Sequence, residues 1–310
     1  MGPPGDEATA GGRTRTLLVT GGSGRLARAV IEILLARGED KIVTTTRTPD
    51  RLADLAARGV EVRRVDFDDD VSTIAAALAG ADRMLMISTH DVGRRADQHG
   101  AVVAAAEQAG VSHLLYTSCA SPNPNPVSAV VSDHFWSERA IMASRLGWTL
   151  LRHNMYSEHI FLFLPAALET GELRTSLGAG ARSYITRADC AAADAAALAG
   201  RWSDCRIYDI GGPEAITTDQ LLAITREITG KAVRHVAVSD AEALQAFVDG
   251  GLPEGFPEAS LGFDVCARHG YHAVVAPDVQ RLTGREPESV RAYLLRNLDV
   301  LTCGVGRTDV

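Results

Sequence analysis

The chain has 310 residues, of which 31 are Lys or Arg and 39 are Asp or Glu, giving a formal net charge of −8. Hydrophobic residues make up 46% and charged residues 23%, a composition typical of a globular protein with a substantial core. The acidic balance argues against a nucleic-acid-binding surface, which needs clustered Lys and Arg. No apolar run approaches the roughly 18 residues of a membrane span, and the N-terminal segment lacks the apolar core of a secretory signal. We therefore expect a cytoplasmic protein with no membrane or nucleic-acid partner.

The cysteines and histidines show no spacing typical of a metal site. The five cysteines are odd in number, far apart and without a CxxC pair, so we expect free thiols in a reducing compartment. His153 and His159 are six residues apart, whereas a helical pair that faces one metal is about three or four apart. We predict no metal.

From residue 16 onward, short apolar runs alternate with segments of helical periodicity. Strands are predicted over 16–20, 41–46, 60–65, 83–87, 112–117 and 148–152. Helices are predicted over 26–37, 49–58, 71–80, 95–109 and 132–146. This alternation is typical of βαβ units, and right-handed crossovers place their helices on both faces of a doubly wound parallel sheet. The pattern predicts an α/β protein of the Rossmann type.

The segment TGGSGRLA joins the first predicted strand to the first predicted helix. This arrangement places a pyrophosphate at a helix N-terminus, where free backbone N–H groups and the helix dipole bind it. Gly21 permits the tight turn, Gly24 lets the backbone approach the phosphates, and Ala27 lets the helix pack closely on the sheet. The alternative is an ordinary turn, but the flanking strand and helix match the dinucleotide fingerprint. The remaining predicted cofactor residues of this loop are Ser23, Arg25 and Leu26.

The residue after the second strand predicts which nucleotide is bound. NAD-preferring sites place an acidic residue there, but this chain has Arg47, which matches a 2′-phosphate in charge and geometry. Arg25 points toward the same region. The two arginines favour NADPH; the alternative is that both are solvated surface residues.

Two further pairs follow predicted strands and are expected to line the cofactor. Asp66 and Phe67 follow the third strand, where the carboxylate accepts the adenine amino group and the phenyl ring packs on the base. Ser88 and Thr89 follow the fourth strand, on the side between the phosphates and the nicotinamide. Asp66 has an alternative interpretation as the N-cap of the next helix.

Beyond residue 154 the alternation degrades. Residues 206–210 still have the pattern of a sheet strand, whereas 241–272 is rich in Gly and Pro and is predicted to be an irregular, substrate-capping segment. We divide the chain into a flexible tail (1–15), an NADP(H)-binding Rossmann domain (16–155), a mainly substrate-binding lobe (156–302) and a second tail (303–310). A segment near 203–212 is expected to return from the lobe to the sheet.

Several segments together resemble a known family. They are, in chain order, TGGSGRLA, TTTRTPD, VDFDD, SHLLYTSCAS, TLLRHNMYSEH, TRADCAAADAAAL and YDIGG. This set resembles the NmrA-like atypical short-chain dehydrogenases, and within them the branch of NADPH-dependent quinone oxidoreductases, over about residues 16 to 300. The resemblance implies a Rossmann domain, a smaller C-terminal lobe, and a cleft between them for nicotinamide and substrate.

The chain departs from the catalytic pattern of ordinary short-chain dehydrogenases, which use a Ser, a Tyr and a Lys. Matching the motifs gives Ser118 at the serine position, Phe135 at the tyrosine position and Arg139 at the lysine position. Phe135 has no hydroxyl, and Arg139 does not release a proton, so the usual proton relay is absent. Arg139 is predicted to contact the cofactor.

Other polar side chains are candidates for the missing roles. The segment RHNMYSE resembles the family's cleft wall, and it supplies Asn154 as a cofactor contact and Tyr156 as an acid or substrate-orienting group. Ser118 is expected to bind the carbonyl oxygen. His134 and His90 are weaker candidates, and for each of these groups the alternative is a polar residue satisfied within the fold.

The predicted reaction is hydride transfer from NADPH to a quinone or an aromatic, polyketide-like ketone. A developing oxyanion with a phenol-like pKa of about 10 needs less help from a protein acid, so the substrate or a water can supply the proton. The predicted partner is therefore a small aromatic carbonyl compound or quinone. The alternative is a regulator that binds NADP(H) without turning it over.

Overall fold

The computed structural model describes residues 14–125, 128–250 and 255–303. Its strands are β1 (Thr16–Val19), β2 (Lys41–Thr46), β3 (Glu61–Arg64), β4 (Arg83–Met86), β5 (His113–Cys119), β6 (Gly147–His153), β7 (Glu172–Thr175), β8 (Ala181–Arg182), β9 (Arg206–Ile210), β10 (Ile216–Thr217) and β11 (Arg234–Ala237). Its α-helices are α1 (Arg25–Arg37), α2 (Ala53–Ala56), α3 (Val71–Leu78), α4 (Arg95–Gln108), α5 (Ala129–Ala143), α6 (Leu164–Thr170), α7 (Arg187–Ala199), α8 (Thr218–Thr229), α9 (Asp240–Asp249), α10 (Phe256–Arg268), α11 (Asp278–Thr283), α12 (Val290–Arg296) and α13 (Leu298–Cys303). Two 3₁₀ helices lie at Pro49–Leu52 and Ser157–Leu162.

The main sheet has seven strands in the order β3-β2-β1-β4-β5-β6-β9, and every neighbouring pair is parallel. The strand order reverses between β1 and β4, which is the switch point of a doubly wound fold. The predicted fold class is confirmed. Because all the strands are parallel, their carboxyl ends lie at one edge of the sheet, where ligands of such folds bind.

Apolar side chains cover both faces of this sheet. In β1, Leu17 and Val19 pack in the cluster that contains α1 and α7, while Leu18 packs in the cluster of α3, α4 and α5 on the other face. Successive strand side chains point to opposite faces, so a strand buried on both sides is apolar throughout. Because of this alternation, each polar residue of a strand also points to one particular face of the sheet.

Several predicted boundaries differ from the observed ones. The helix predicted over 132–146 is α5, which begins three residues earlier because Ser128 is its N-cap and accepts a hydrogen bond from the Val131 N–H. The helix predicted over 49–58 is a 3₁₀ helix followed by the single turn of α2. The strand predicted over 112–117 extends to Cys119, so Ser118 belongs to β5.

The prediction of an irregular segment over 241–272 is wrong, because α9 and α10 occupy much of it. A capping box starts α9: the Ser239 side chain accepts from the Glu242 N–H, and the Glu242 side chain accepts from the Ser239 N–H. Pro257 lies in the first turn of α10, where a missing N–H costs nothing. Gly255 and Pro257, which were taken as loop signals, lie at the start of α10 instead.

The predicted tails, 1–15 and 303–310, lie mostly outside the described residues. Arg15 is an exception, because its guanidinium donates to the Asp40 carboxylate and to the carbonyl oxygens of Ala199 and Gly200. These bonds fix it at the end of α7, so Arg15 belongs to the folded part.

The C-terminal half adds a third apolar cluster, which includes Phe161, Leu221 and Tyr293. Two small sheets belong to this lobe, with β7 parallel to β11 and β8 antiparallel to β10. The strand β9 lies in the main sheet beside β6. None of the helices described is both long enough and apolar enough to cross a membrane.

Candidate active site

The loop between β1 and α1 is built to present backbone N–H groups. Gly21 has a φ of 68°, and its carbonyl oxygen accepts a hydrogen bond of 2.8 Å from the Gly24 N–H. Gly24 is the N-cap of α1 and has no side-chain cap, so the N–H groups of the first helical turn are not used by a capping side chain. This is the arrangement that binds a pyrophosphate.

Gly22 packs closely against β2, which the sequence pattern does not indicate. A Cβ at this position would lie 2.3 Å from Thr44 Oγ1 and 2.9 Å from Leu52 Cδ1. Its N–H donates to the Thr45 carbonyl oxygen, so the loop lies directly against β2. The spacing of glycines in the sequence gives no sign of this contact, because Thr44 is a neighbour only through strand pairing.

Replacing Gly22 by Ala is expected to destabilise the protein by about 1–3 kcal/mol, the usual cost of overpacking a tight site. The matched control is Gly100→Ala in α4, where an added Cβ has no neighbour within 4 Å. That variant is expected to gain about 0.5–1 kcal/mol from the better helix propensity of Ala. Urea unfolding of both variants measures the difference, and equal free energies of unfolding would contradict the close approach.

Two arginines border the predicted phosphate site, one directly after β2 and one at the start of α1. Arg47 directly follows β2 and is exposed, and Arg25 is the exposed first residue of α1. The Thr46 hydroxyl donates to Ser23 Oγ at 3.2 Å and ties the loop to the end of β2. The predicted phosphate loop and the predicted 2′-phosphate arginines therefore lie at the same edge of the sheet.

The residues after β3 contradict one of the two interpretations of Asp66, its role as a helix N-cap. The N-cap of α3 is Asp70, whose side chain accepts from the Thr73 N–H at 3.0 Å. The interpretation of Asp66 as the cap is therefore wrong. Asp66 and Phe67 are half-buried after β3, and Phe67 packs its edge on His99 with ring centroids 6.4 Å apart.

The loop after β4 is fixed by the start of α4. The Ser88 N–H donates to Thr117 Oγ1, and the Thr89 hydroxyl donates to Gln98 Oε1 at 2.9 Å. Arg95 donates through Nε to the Thr89 carbonyl oxygen at 2.6 Å. The Thr89 hydroxyl is thus engaged within the fold, and its role toward a cofactor stays a prediction.

The two histidines that were considered as proton donors, His134 and His90, have different environments. His134 is buried, with Nδ1 2.7 Å from the Tyr116 hydroxyl and Nε2 3.4 Å from Arg95. Burial, with the Arg95 charge nearby, holds the pKa of His134 well below its usual range. His90 is exposed. His134 is a neutral part of a buried network, which makes it a poor proton donor.

Ser118 lies at the carboxyl end of β5 and is 4% exposed. Among the described residues, its Oγ has no hydrogen-bond partner. It pairs across the sheet with Arg152, whose guanidinium donates to both carboxylate oxygens of the buried Glu138 at 2.9 and 2.7 Å. A buried hydroxyl without a hydrogen-bond partner is uncommon in folded proteins, and the contact of Ser118 with the substrate oxygen stays a prediction.

The two residues at the predicted tyrosine and lysine positions belong to α5. Phe135 is half-buried and packs edge-on against Trp136, with ring centroids 5.0 Å apart. Arg139 is exposed, whereas Glu138 and Ile141 are on the buried side of the helix. The cofactor contact of Arg139 stays a prediction.

Tyr156 follows β6 and packs against the apolar cluster that contains α1 and α7. Its hydroxyl lies 3.1 Å from His153 Nδ1, and the Arg187 guanidinium lies 5.3 Å from its ring centroid. His153 Nε2 lies 2.8 Å from Asp194 Oδ1. His153 and Asp194 were not predicted as site residues. They are 41 positions apart and come together only because α7 packs under β6.

Asn154 has a structural use that the sequence did not indicate. Its Nδ2 donates to the His272 carbonyl oxygen at 3.0 Å, and its Oδ1 accepts from the Met155 N–H at 2.8 Å. The side chain is buried and holds the segment at His272 against the end of β6. Both polar atoms of the amide thus have a partner within the fold, and the contact of Asn154 with the cofactor stays a prediction.

One cysteine, Cys119, directly follows Ser118. Burial raises the pKa of its thiol, and it is a free cysteine in the structure. A neutral thiol is a small apolar wall residue and a poor nucleophile.

We expect Cys119→Ala to change turnover by less than a factor of about ten, because a general acid or nucleophile would contribute about 10²–10⁴. Steady-state kinetics on variant protein with an unchanged circular dichroism spectrum measures this. A larger loss would assign the thiol a chemical role.

Comparison with known proteins agrees with this geometry. Residues 21–200 match a family described as NAD(P)H-binding. Quinone oxidoreductase 2 of Escherichia coli is 35% identical over 255 residues, which cover 82% of this chain and 88% of that protein. An NAD(P)H azoreductase of Xenophilus azovorans is 27% identical over 87% of this chain and 93% of the relative.

Solved structures give the same result. The NADPH-dependent quinone oxidoreductase of Escherichia coli in complex with NADPH has a TM-score of 0.84 and 33% identity, covering 91% of this chain and 99% of the other. Triphenylmethane reductase of Citrobacter sp. in complex with NADP(H) has a TM-score of 0.82 and 30% identity, covering 90% of this chain and 99% of the other.

This chain belongs to the NAD(P)H-binding family. The predicted NADPH cofactor, the oxidoreductase class and the resemblance to NmrA-like quinone oxidoreductases are confirmed.

Proposed function

We propose that the protein reduces a quinone or an aromatic ketone with NADPH. The observation that carries this proposal is the carboxyl edge of the parallel sheet. The glycine loop and the exposed Arg47 follow β1 and β2 there, and the end of β5 carries Ser118, whose buried hydroxyl has no hydrogen-bond partner among the described residues. The NADPH-dependent quinone oxidoreductase of Escherichia coli, which shares the fold at 33% identity, supports the substrate class.

The residues present fit a dinucleotide phosphate. The loop Gly21–Gly24 has no Cβ on three of its four positions, so its backbone can approach the pyrophosphate closely. Arg47 and Arg25 would neutralise the 2′-phosphate, while Asp66 and Phe67 would flank the adenine. Ser88 and Thr89 would line the side toward the nicotinamide. When bound, NADPH supplies the hydride.

The substrate class follows from the residues that replace the usual proton relay. Phe135 and Arg139 offer no transferable proton, so the developing oxyanion is stabilised by the Ser118 hydroxyl. A hydroquinone oxygen, or a ketone oxygen beside a phenol, develops charge near a pKa of about 10 and is readily protonated. A simple aliphatic alkoxide is far more basic, so it depends fully on a proton from the protein and would form more slowly.

The test is oxidation of NADPH in the presence of a 1,4-naphthoquinone and of an anthraquinone-type ketone, with an aliphatic ketone as the comparison. The proposal expects turnover of the aromatic compounds and little turnover of the aliphatic one. The alternative is a regulator that binds NADP(H) without turnover. Tight NADPH binding by calorimetry, with no oxidation in the presence of any of these compounds, would favour the regulator.

A further inference from the structure

Three side chains form a continuous hydrogen-bonded series that reaches from the interior to the end of β6. Asp194 Oδ1 lies 2.8 Å from His153 Nε2, and His153 Nδ1 lies 3.1 Å from the Tyr156 hydroxyl. Asp194 is fully buried and His153 nearly so, whereas Tyr156 is only half-buried at the carboxyl end of the strand. The series therefore connects a buried carboxylate with a phenol at the edge where substrate is expected.

Burying the Asp194 carboxylate inside the protein has an unfavourable desolvation free energy. It lies in the middle of α7 among buried alanines, and its Oδ2 has no hydrogen-bond partner among the described residues. A buried carboxylate that is not fully satisfied stabilises a protein little, and an apolar residue of similar size often does better. The partner that it does have among the described residues is His153, so we infer that it holds that imidazole in place.

The orientation of the imidazole follows from this contact. A carboxylate accepts hydrogen bonds only, so the His153 Nε2 carries a proton and donates it to Asp194. The Nδ1 atom then faces the Tyr156 hydroxyl. The carboxylate beside Nε2 offsets the positive charge that the ring holds while Nδ1 passes a proton to the phenol oxygen.

We propose, on the basis of the proposed function, that Tyr156 donates the proton to the reduced carbonyl oxygen and is reprotonated by His153, which Asp194 positions. The substrate carbon gains the hydride, and its oxygen takes the proton of the Tyr156 hydroxyl. The Tyr156 oxygen then regains a proton, which His153 Nδ1 takes from solvent and passes on while Nε2 stays bonded to Asp194. Each cycle consumes one hydride from NADPH and one proton from solvent, so charge and protons balance.

The surroundings of Tyr156 suit a proton donor. Burial raises the pKa of Tyr156 well above its usual value, so the hydroxyl keeps its proton until an oxyanion forms nearby. The Arg187 guanidinium over the ring favours the transient phenolate. Together, Arg187 and His153 supply the cation and the proton that Arg139, at the family's lysine position, does not supply.

The experiment uses two aromatic ketones that differ only in the group beside the carbonyl, a free phenol or its methyl ether. The variants are Tyr156→Phe, His153→Gln and Asp194→Asn. The control is His159→Gln, because His159 packs on the other side of Tyr156, with ring centroids 5.6 Å apart and its Nδ1 on the Met155 sulfur.

With the methyl ether, Tyr156→Phe is expected to lower kcat by about 10²–10⁴ with little change in KM, since a positioned acid contributes that much. His153→Gln and Asp194→Asn are expected to lower kcat as well. The double variant Tyr156→Phe/Asp194→Asn should equal Tyr156→Phe alone, because Asp194 acts only through the phenol. With the free phenol, all of them should turn over close to the unmodified protein.

A structural role would produce a different pattern. Equal losses with both ketones, or losses in the double variant that add, would overturn the relay. Normal reduction of the methyl ether by Tyr156→Phe would also overturn it. Failure of the unmodified protein to reduce either ketone would instead overturn the proposed function on which the relay rests.

Discussion

Replacing Arg47 by Glu is expected to reverse the cofactor preference from NADPH to NADH. The substitution removes a guanidinium from the 2′-phosphate and places a carboxylate where it accepts from a free 2′-hydroxyl. Each lost charge-assisted hydrogen bond costs about 1.5–3 kcal/mol, which weakens NADPH binding by a factor of about 10–150 per bond. Binding of NADH should tighten in the same variant.

The control for this experiment is Arg226→Glu, which changes the net charge equally at an exposed position of α8 in the C-terminal lobe. It is expected to leave both affinities within a factor of about two, because exposed charges far apart are screened. Calorimetric titration of each protein with NADPH and NADH gives the four affinities. Equal affinity of the unmodified protein for the two nucleotides would show that Arg47 does not read the 2′-phosphate.

The protein is expected to lose much of its stability as the pH falls from about 6.5 to about 5. Burial lowers the pKa of His99 to about 3, of His113 to about 4 and of His272 to about 3, against an ordinary value of 6.5. In this window the unfolded histidines take up protons and the folded ones do not, so acid favours unfolding. Each buried histidine then costs about 2 kcal/mol at about pH 5.

Other titratable groups change the stability at a lower pH or in the opposite direction. The carboxylates of Asp54 and Glu61, with pKa values lowered to about 2, weaken the fold only at more acidic pH. Asp133 and Asp209, whose pKa values are raised by burial, act in the opposite direction as they take up protons in the folded state. Urea unfolding at several pH values measures the slope.

His99→Gln should make the free energy of unfolding less dependent on pH, by the contribution of one histidine. His90→Gln, at an exposed position, should leave that dependence unchanged. A free energy of unfolding that stays constant from pH 7 to about 5 would contradict the burial of neutral histidines.

The parts of the site that depend on local sequence could be predicted. A strand, a glycine turn and a helix are contiguous in the chain, so Gly21 and Gly24 were identifiable from their spacing. Arg47 was identifiable because it directly follows a strand. Their placement at one edge of the sheet then follows from parallel topology alone.

The remaining parts depend on packing between distant segments. His153 and Asp194 meet because β6 lies on α7, and no periodicity marks a single Asp within an alanine-rich helix. Gly22 is required by Thr44 on the neighbouring strand, which only the strand pairing brings close. The amide of Asn154 is engaged by the segment at His272, more than a hundred residues later. Contacts of this kind carry no signal in the local pattern.

Whether the protein turns NADPH over is decided by the stoichiometry of the reaction without oxygen. A catalytic amount of the protein is mixed with a limiting amount of NADPH and excess 1,4-naphthoquinone, so that no oxygen reoxidises the product. Loss of NADPH absorbance and the amount of hydroquinone formed are measured together. We expect one hydroquinone for each NADPH consumed, at a rate proportional to the amount of protein. Bound NADPH that persists unoxidised beside the quinone would show that the protein is not a quinone reductase.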